Sequence, residues 1–171
     1  MIITRSPLRI SFAGGGTDLP AFYENNNFGC VVSTSIDKYV YVTLNHKFDG
    51  KLSVRYRKHE IAENVDELEH KLIQAILKSY GVQSGVEIVV ASDVPARGSG
   101  LGASSSLTVA LCMALEVFVG NAVTVLNDKK KLAEHAATIE IYRAQSIIGK
   151  QDQYASALGG FNFLKFVKHD V

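Results

Sequence analysis

The 171 residues carry 18 Lys and Arg against 17 Asp and Glu, a formal net charge of +1, with 47% hydrophobic and 20% charged residues. That is the composition of a globular chain with a real core, not of a disordered one, and the length suits one domain or one domain and part of a second. Balanced charge argues against a nucleic-acid or anionic-membrane surface as the main partner; no apolar run reaches membrane-spanning length and no signal peptide opens the chain, so a cytoplasmic protein is expected.

Residues 2–12 are expected to be extended, with Leu8, Ile10 and Phe12 alternating against Arg9 and Ser11, which sets Arg9 opposite the apolar row. The run ends at Ala13-Gly-Gly-Gly-Thr-Asp18, where consecutive glycines open the backbone to a ligand. Asp18 either caps a short turn over residues 21–24 or presents a carboxylate to that ligand. Two strands are expected across 29–47 and a third across 51–57, forming an antiparallel sheet with one wet face. Residues 64–80 show the apolar steps of an amphipathic helix closed by Gly81. Val86, Ile88 and Val90 alternate as a strand over 85–91, and Leu107 to Val119 carries a single charge, Glu116, as a helix buried nearly all round would. A helix capped by Asn127 or Asp128 is expected from Lys129 to about Ser146, then a short helical stretch to Leu158, a Gly159-Gly160 break and a strand with Phe161, Phe163 and Lys165. Strands early and helices late indicate an α+β fold. Cys30 and Cys112 are expected as buried thiols, and the five histidines show no metal-ligand spacing.

Between the strand at 85–91 and the buried helix lies Pro95-Ala-Arg-Gly-Ser-Gly-Leu-Gly-Ala-Ser-Ser-Ser-Leu107. Gly98, Gly100 and Gly102 alternate with Ser99, Leu101 and Ala103, so backbone N–H groups can approach an anion without a Cβ in the way. Ser104 to Ser106 offer hydroxyls and a cap for the helix, whose positive end then points at the loop. This context suits a phosphate cradle, although the Walker lysine is absent; a plain connection is the competing reading.

Phosphoryl transfer needs such a cradle, a metal held by hydroxyl and carboxylate oxygens, a cation for developing charge and an acceptor for the hydroxyl proton. Ser104 or Ser105 with Glu140 are the candidates for Mg²⁺, Arg9 for the cation and Asp152 for the base. Ordinary roles are open to each: a surface ion pair for Arg9, a helix cap for Asp152, a solvated helix face for Glu140. Arg97, Lys38 and Lys150 are candidates for holding a second phosphate.

Three segments, in order, resemble the GHMP kinases, the family of galactokinase, homoserine kinase, mevalonate kinase and phosphomevalonate kinase. Ser6-Pro-Leu-Arg9 resembles the opening A-P-G-[RK], Pro95 to Ser105 resembles P-x-x-x-G-L-G-S-S-A, and Gly149-Lys-Gln-Asp-Gln-Tyr154, followed by Gly159-Gly160, resembles the segment around the catalytic aspartate. Within the family, Arg9 to Asp18 and the Gly-Lys-Gln-Asp-Gln-Tyr run look most like bacterial heptose 7-phosphate kinases and less like fucokinase. Galactokinase is a poorer match, having Gly-Glu-His where this chain has Gly14-Gly-Gly16.

The resemblance implies that residues 1–171 are the family's N-terminal ATP-binding and catalytic domain, a ribosomal-protein-like two-layer sandwich of mostly antiparallel sheet and helices. It implies ATP and Mg²⁺ as cofactors and a sugar phosphate as substrate, D-glycero-D-manno-heptose 7-phosphate taken at its anomeric hydroxyl. Asp152 becomes the catalytic aspartate and Arg9 its cationic partner. Arg97, Gly98, Ser99, Gly100, Leu101, Gly102, Ala103, Ser104 and Ser105 surround the nucleotide phosphates, Ser104 and Glu140 ligate magnesium, and Gly15, Gly16, Thr17, Asp18 and Gln153 face the sugar. Ala103 replaces the first serine of the family's pair, which leaves the choice of metal-binding hydroxyl open. The family's third motif, a glycine-rich loop near the end of a longer chain, is not found, so a fragment lacking the C-terminal domain is expected. A non-catalytic sugar- or nucleotide-binding module and a nucleic-acid binder are the alternatives.

Overall fold

One long strand sets the architecture of the computed structural model, which describes residues 1–95, 98–121, 127–168 and 170–171. The chain enters as strand β1, Ile2–Ala13, turns through helix α1, Pro20–Tyr23, and continues into β2, Gly29–His46. From Cys30 to Asp49 there is neither glycine nor proline to interrupt it. Where two strands are expected there is thus one of 18 residues, about 60 Å at the usual rise. Its length lets it carry β1 along one side, while β5, Val86–Ser92, and β6, Phe161–Phe166, lie along different halves of the other. Two short strands, β3, Leu52–Arg55, and β4, His59–Ala62, extend the sheet beyond β5; the β3–β5 pair is parallel and every other pair antiparallel. β4 is not expected from the sequence, because His59-Glu-Ile-Ala62 offers only one large apolar side chain.

The register of β1 on β2 shifts between Pro7 and Arg9, where Pro7 pairs with Tyr39 but Arg9 with Ser35. The bulge re-aims the strand beyond it. Leu8 is fully buried, but Ile10 and Phe12 stand 39% and 61% exposed, so the expected apolar row does not hold past the bulge. Pro7, which has no N–H to give, is accommodated on this edge strand, and the Arg9 N–H turns outward to the Leu101 carbonyl at 3.1 Å.

Helices cover one face of the sheet. Residues expected as a single helix over 64–80 divide into a 3₁₀ turn, Val65–Glu67, and α2, Lys71–Ser79. Asn64 caps the turn and His70 caps α2, each through a side-chain acceptor, and Leu68 between them is extended yet buried. The apolar spacing survives because Val65, Leu68, Ile73, Ile76 and Leu77 all reach one core. The central helix α3, Ala103–Phe118, starts four residues earlier than its expected start at Leu107 and is buried along most of its length. Helix α4, Lys129–Thr138, capped by Asp128, ends in a π turn, Ile139–Arg143, rather than running on to Ser146. The last helix, α5, is Gln151–Leu158.

Sheet and helices share a core built around Leu8, Val42, Leu44, Ile88, Leu111 and Leu115. The far face of the sheet is not simply wet: Ile3, Phe161 and Phe163 are more than half exposed there. Both cysteines are free; Cys112 is fully buried, which pushes its thiol up to about 12, whereas Cys30 is only half-buried. Among the described residues no helix is long and apolar enough to cross a membrane.

Candidate active site

The glycine loop approaches the sheet at the β1 bulge. Gly98, Gly100 and Gly102 have φ of +77°, +66° and +75°, the left-handed region that glycine enters without strain. Gly102 is the N-cap of α3, with no side-chain cap bond. Ser104 to Ser106 therefore do not cap the helix as expected; they lie inside its first turn, leaving N–H groups at the positive end of α3 available to an anion. Arg97 lies outside the described residues.

Gly102 is also where the first and third motif segments meet. The Arg9 guanidinium forms a two-pronged pair with Asp152, Nε to Oδ1 at 2.6 Å and Nη2 to Oδ2 at 2.7 Å, while its Nη1 donates to the Gly100 carbonyl at 2.6 Å. A Cβ on Gly102 would stand 3.3 Å from both Arg9 Cγ and Asp152 Oδ2, so a larger residue would wedge the pair away from the loop. The pair is partly buried, with side chains 11% and 23% exposed, and its parallel hydrogen bonds fix the carboxylate plane.

Behind the loop, Glu140 is carried inward on the π turn and is 2% exposed. Its Oε1 accepts from Ser104 Oγ at 2.8 Å; its Oε2 accepts from Ser105 Oγ at 2.9 Å, Thr108 Oγ1 at 3.3 Å and Gln153 Nε2 at 2.7 Å. The solvated helix face that Glu140 would ordinarily occupy is excluded. Among the described residues no lysine or arginine forms a salt bridge with it. A buried carboxylate without a cationic partner, beside the hydroxyl of an exposed serine, is a hard-oxygen donor set that fits Mg²⁺ completed by phosphate and water. Among the described residues no cluster of three or more His, Cys, Asp or Glu offers an all-protein metal cage.

The glycine turn after β1 approaches from the other side. Asp18 does not cap α1, whose N-cap is Leu19. It is 2% exposed: Oδ1 accepts from Gly16 N at 3.1 Å and Gln151 Nε2 at 3.2 Å, and Oδ2 accepts from Gln151 N at 3.0 Å, so it caps α5 from a distant part of the chain. Gly16, Asp18, Ile148, Gln151 and Asp152 line a pocket of about 220 Å³. Gly15 lies beside it, 3.9 Å from Gln151 Nε2 when a Cβ is built.

Two residues expected against the sugar face elsewhere. The Thr17 hydroxyl lies 2.7 Å and 3.0 Å from the Gly14 and Cys30 carbonyls and accepts the Cys30 N–H at 3.0 Å, fastening the glycine turn to β2. Gln153 is fully buried and turned to Glu140. Of the candidates for a second phosphate, Lys150 is engaged with Glu134 at 2.9 Å and Lys38 is exposed near the β1 bulge. A larger open cleft, about 570 Å³ and lined by Lys71, Lys78 and Arg143, lies between α2 and the π turn, and none of the described motif residues lines it.

The first turn of α5 joins these parts. Successive side chains on a helix diverge by about 100°, so Gln151 reaches Asp18, Asp152 reaches Arg9, and Gln153 reaches Glu140. Gln151 has no sequence signal of its own beyond its place beside Asp152.

Residues 67–160 match the family model of the GHMP kinases N terminal domain. The chain belongs to the GHMP kinase family. It is 32% identical to the D-glycero-alpha-D-manno-heptose 7-phosphate kinase of Campylobacter jejuni, over 96% of this chain and 50% of the relative. It is 29% identical to the L-fucokinase/L-fucose-1-P guanylyltransferase of Bacteroides fragilis, over 94% of this chain and 20% of that protein. The structure of a D-glycero-D-manno-heptose 1-phosphate kinase from Bacteroides thetaiotaomicron superposes on all of the chain with a TM-score of 0.85 at 26% identity, the match covering 58% of that chain. The chain thus spans half or less of the length of these curated relatives. In this GHMP fold the α+β class and the mostly antiparallel sheet under helices are as expected.

Proposed function

We propose that this GHMP domain carries the phosphoryl-transfer machinery of an ATP-dependent sugar kinase whose acceptor is the anomeric hydroxyl of D-glycero-D-manno-heptose 7-phosphate. The carrying observation is the meeting of Arg9, Asp152 and Gly102 at the head of the glycine loop, with a pocket shared by Asp152 and Asp18 next to it. The relatives named for heptose phosphates support the acceptor.

The triphosphate lies along Gly98 to Ser105, where glycine N–H groups and the start of α3 meet its charge. Ser104 and Glu140 would hold Mg²⁺, which when bound draws negative charge from the phosphate oxygens. The sugar occupies the pocket between Gly16, Asp18 and Asp152. Each Asp152 oxygen accepts one bond from Arg9 and retains acceptor capacity, so a hydroxyl in that pocket can give its proton to Asp152 as its oxygen bonds to the γ-phosphorus of ATP, whose bond to the β–γ bridging oxygen breaks to release ADP. Arg9 holds the base in place and sets a positive charge beside the transferring group. Asp18, with one lone-pair site still open on Oδ2, accepts a second sugar hydroxyl.

Asp152→Asn keeps the shape and removes the proton acceptor. Turnover is expected to fall by about 10² to 10⁴ with ATP affinity retained; wild-type turnover in this variant removes Asp152 from the mechanism. Calorimetry with ATP-Mg²⁺, heptose 7-phosphate, L-fucose and single-stranded RNA tests the ligand class. L-Fucose is included because of the fucokinase relative, and dominant RNA binding that weakens steeply with salt would overturn the kinase reading.

A further inference from the structure

Gln153 presents an energetic puzzle. Its side chain is fully buried, its Nε2 donates to Ser105 Oγ at 3.1 Å and Glu140 Oε2 at 2.7 Å, and its Oε1 has no hydrogen-bond partner among the described residues. A buried amide with an orphaned carbonyl oxygen is worse for folding than an apolar side chain of the same size. The amide cannot flip to relieve this, because Oε1 would then face the Glu140 carboxylate. Stability alone therefore does not account for a glutamine here.

Its neighbourhood does. Among the described residues Glu140 Oε2 is held by the neutral donors Ser105 and Gln153, with the Thr108 hydroxyl shared between it and the Ser104 carbonyl, whereas Oε1 meets only the Ser104 hydroxyl, which belongs to an exposed residue at the head of α3. These donors hold the carboxylate by its inner oxygen without neutralising it. A lysine or arginine in place of Gln153 would satisfy the same oxygen but compete for the negative charge that a metal needs.

We propose that Gln153 is the positioning residue of the cation site: it fixes Glu140 by Oε2, so that Oε1 and the Ser104 hydroxyl form a ready-oriented edge for a divalent ion. The inference rests on the kinase reading above, in which that edge binds Mg²⁺, and it replaces the expected contact of Gln153 with the sugar. Gln153 acts through Glu140 and touches no substrate. Because Gln153 follows Asp152 on the same turn of α5, base and cation site are set by one rigid element.

The test uses Mn²⁺ as the probe, followed by electron paramagnetic resonance in the full-length protein with a non-hydrolysable ATP analogue. Gln153→Met removes the amide at similar volume. It is expected to weaken Mn²⁺ binding by about 10- to 100-fold, while the metal-free melting temperature stays equal or rises and nucleotide affinity in chelator is unchanged. Gln153→Leu, apolar and slightly smaller, also lacks the donor; it is expected to weaken Mn²⁺ in the same range and covers the case in which the methionine variant does not fold. Wild-type Mn²⁺ affinity in both variants, with binding lost in Glu140→Gln, overturns the role of Gln153 and leaves the cation-site reading standing. Wild-type affinity in Glu140→Gln overturns that reading and the proposal with it.

Discussion

Gly149→Ala is the sharpest stability test of the site. Gly149 packs so closely on Asp18 that a Cβ there would overlap the Asp18 carboxyl group and stand 2.9 Å from its carbonyl carbon. Asp18 has little room to recoil: the preceding residue, Thr17, is fastened to Cys30, and its carbonyl packs directly on Gly29. Overpacking of this kind costs about 1–3 kcal/mol. A displaced Asp18 also strands the N–H of Gln151 in a part-buried setting, about 1–3 kcal/mol more. The total of roughly 2–6 kcal/mol corresponds to a fall in melting temperature of roughly 5–20 °C for a domain of this size. Gly15→Ala is the control, because its Cβ meets Gln151 Nε2 at an ordinary 3.9 Å. Thermal melting followed by circular dichroism compares the two. A Gly149→Ala melt no lower than that of Gly15→Ala would show that the Asp18 contact is not as described and would remove the argument that Asp18 is rigidly placed.

Arg9→Lys keeps a charge but cannot form the fork with Asp152 and reach Gly100 together. Charged hydrogen bonds of about 1.5–3 kcal/mol set a fall in kcat of roughly 10- to 100-fold, and an unchanged kcat in steady-state kinetics would dissociate the pair from catalysis. A pH effect on stability is expected from His70, whose Nδ1 caps α2 by accepting the Ile73 N–H and whose ring packs edge-on to Tyr56. Burial holds its pKa below the ordinary value, although the Glu60 charge opposes this in part. As pH falls, the unfolded chain takes up the proton first, so stability present above about pH 6.5 is lost progressively down to the folded pKa. His70→Asn retains a cap acceptor and reduces that slope, while His135, lowered by burial in the same direction, preserves part of it. Melting of both proteins near pH 7.5 and pH 5.5 checks this, and identical slopes would refute it.

Much of the site was legible because its chemistry is concentrated in short contiguous runs. The glycines of the loop, Arg9 after its proline and Asp152 in its Gly-Lys-Gln-Asp-Gln run each mark a local backbone or charge requirement that composition and order expose. The apolar periodicities likewise announced α3, β5 and the buried face of α2. Less legible were features decided by side-chain caps and by packing between elements. The division of 64–80 into a 3₁₀ turn and a helix depends on Asn64 and His70 acting as caps, although apolar spacing alone permits one helix. Gln153 reads as a polar residue beside Asp152, and only the packing of α5 against α3 and the π turn gives it Glu140 as its partner.

The sequence by itself determined the α+β class and the family resemblance, because residue type and the order of short motifs limit what those segments can do, and it marked Arg9, Asp152 and Glu140 as candidates. Tertiary structure alone decided that Arg9 and Asp152 form one unit against Gly102, that Asp18 caps α5 instead of its neighbouring helix, and that Thr17 turns to Cys30 and Gln153 to Glu140. The reason is geometric: hydrogen bonds and ion pairs between different elements, 13 to 143 positions apart, depend on strand register and helix rotation, and the β1 bulge together with the roughly 100° step along α5 sets where each side chain points.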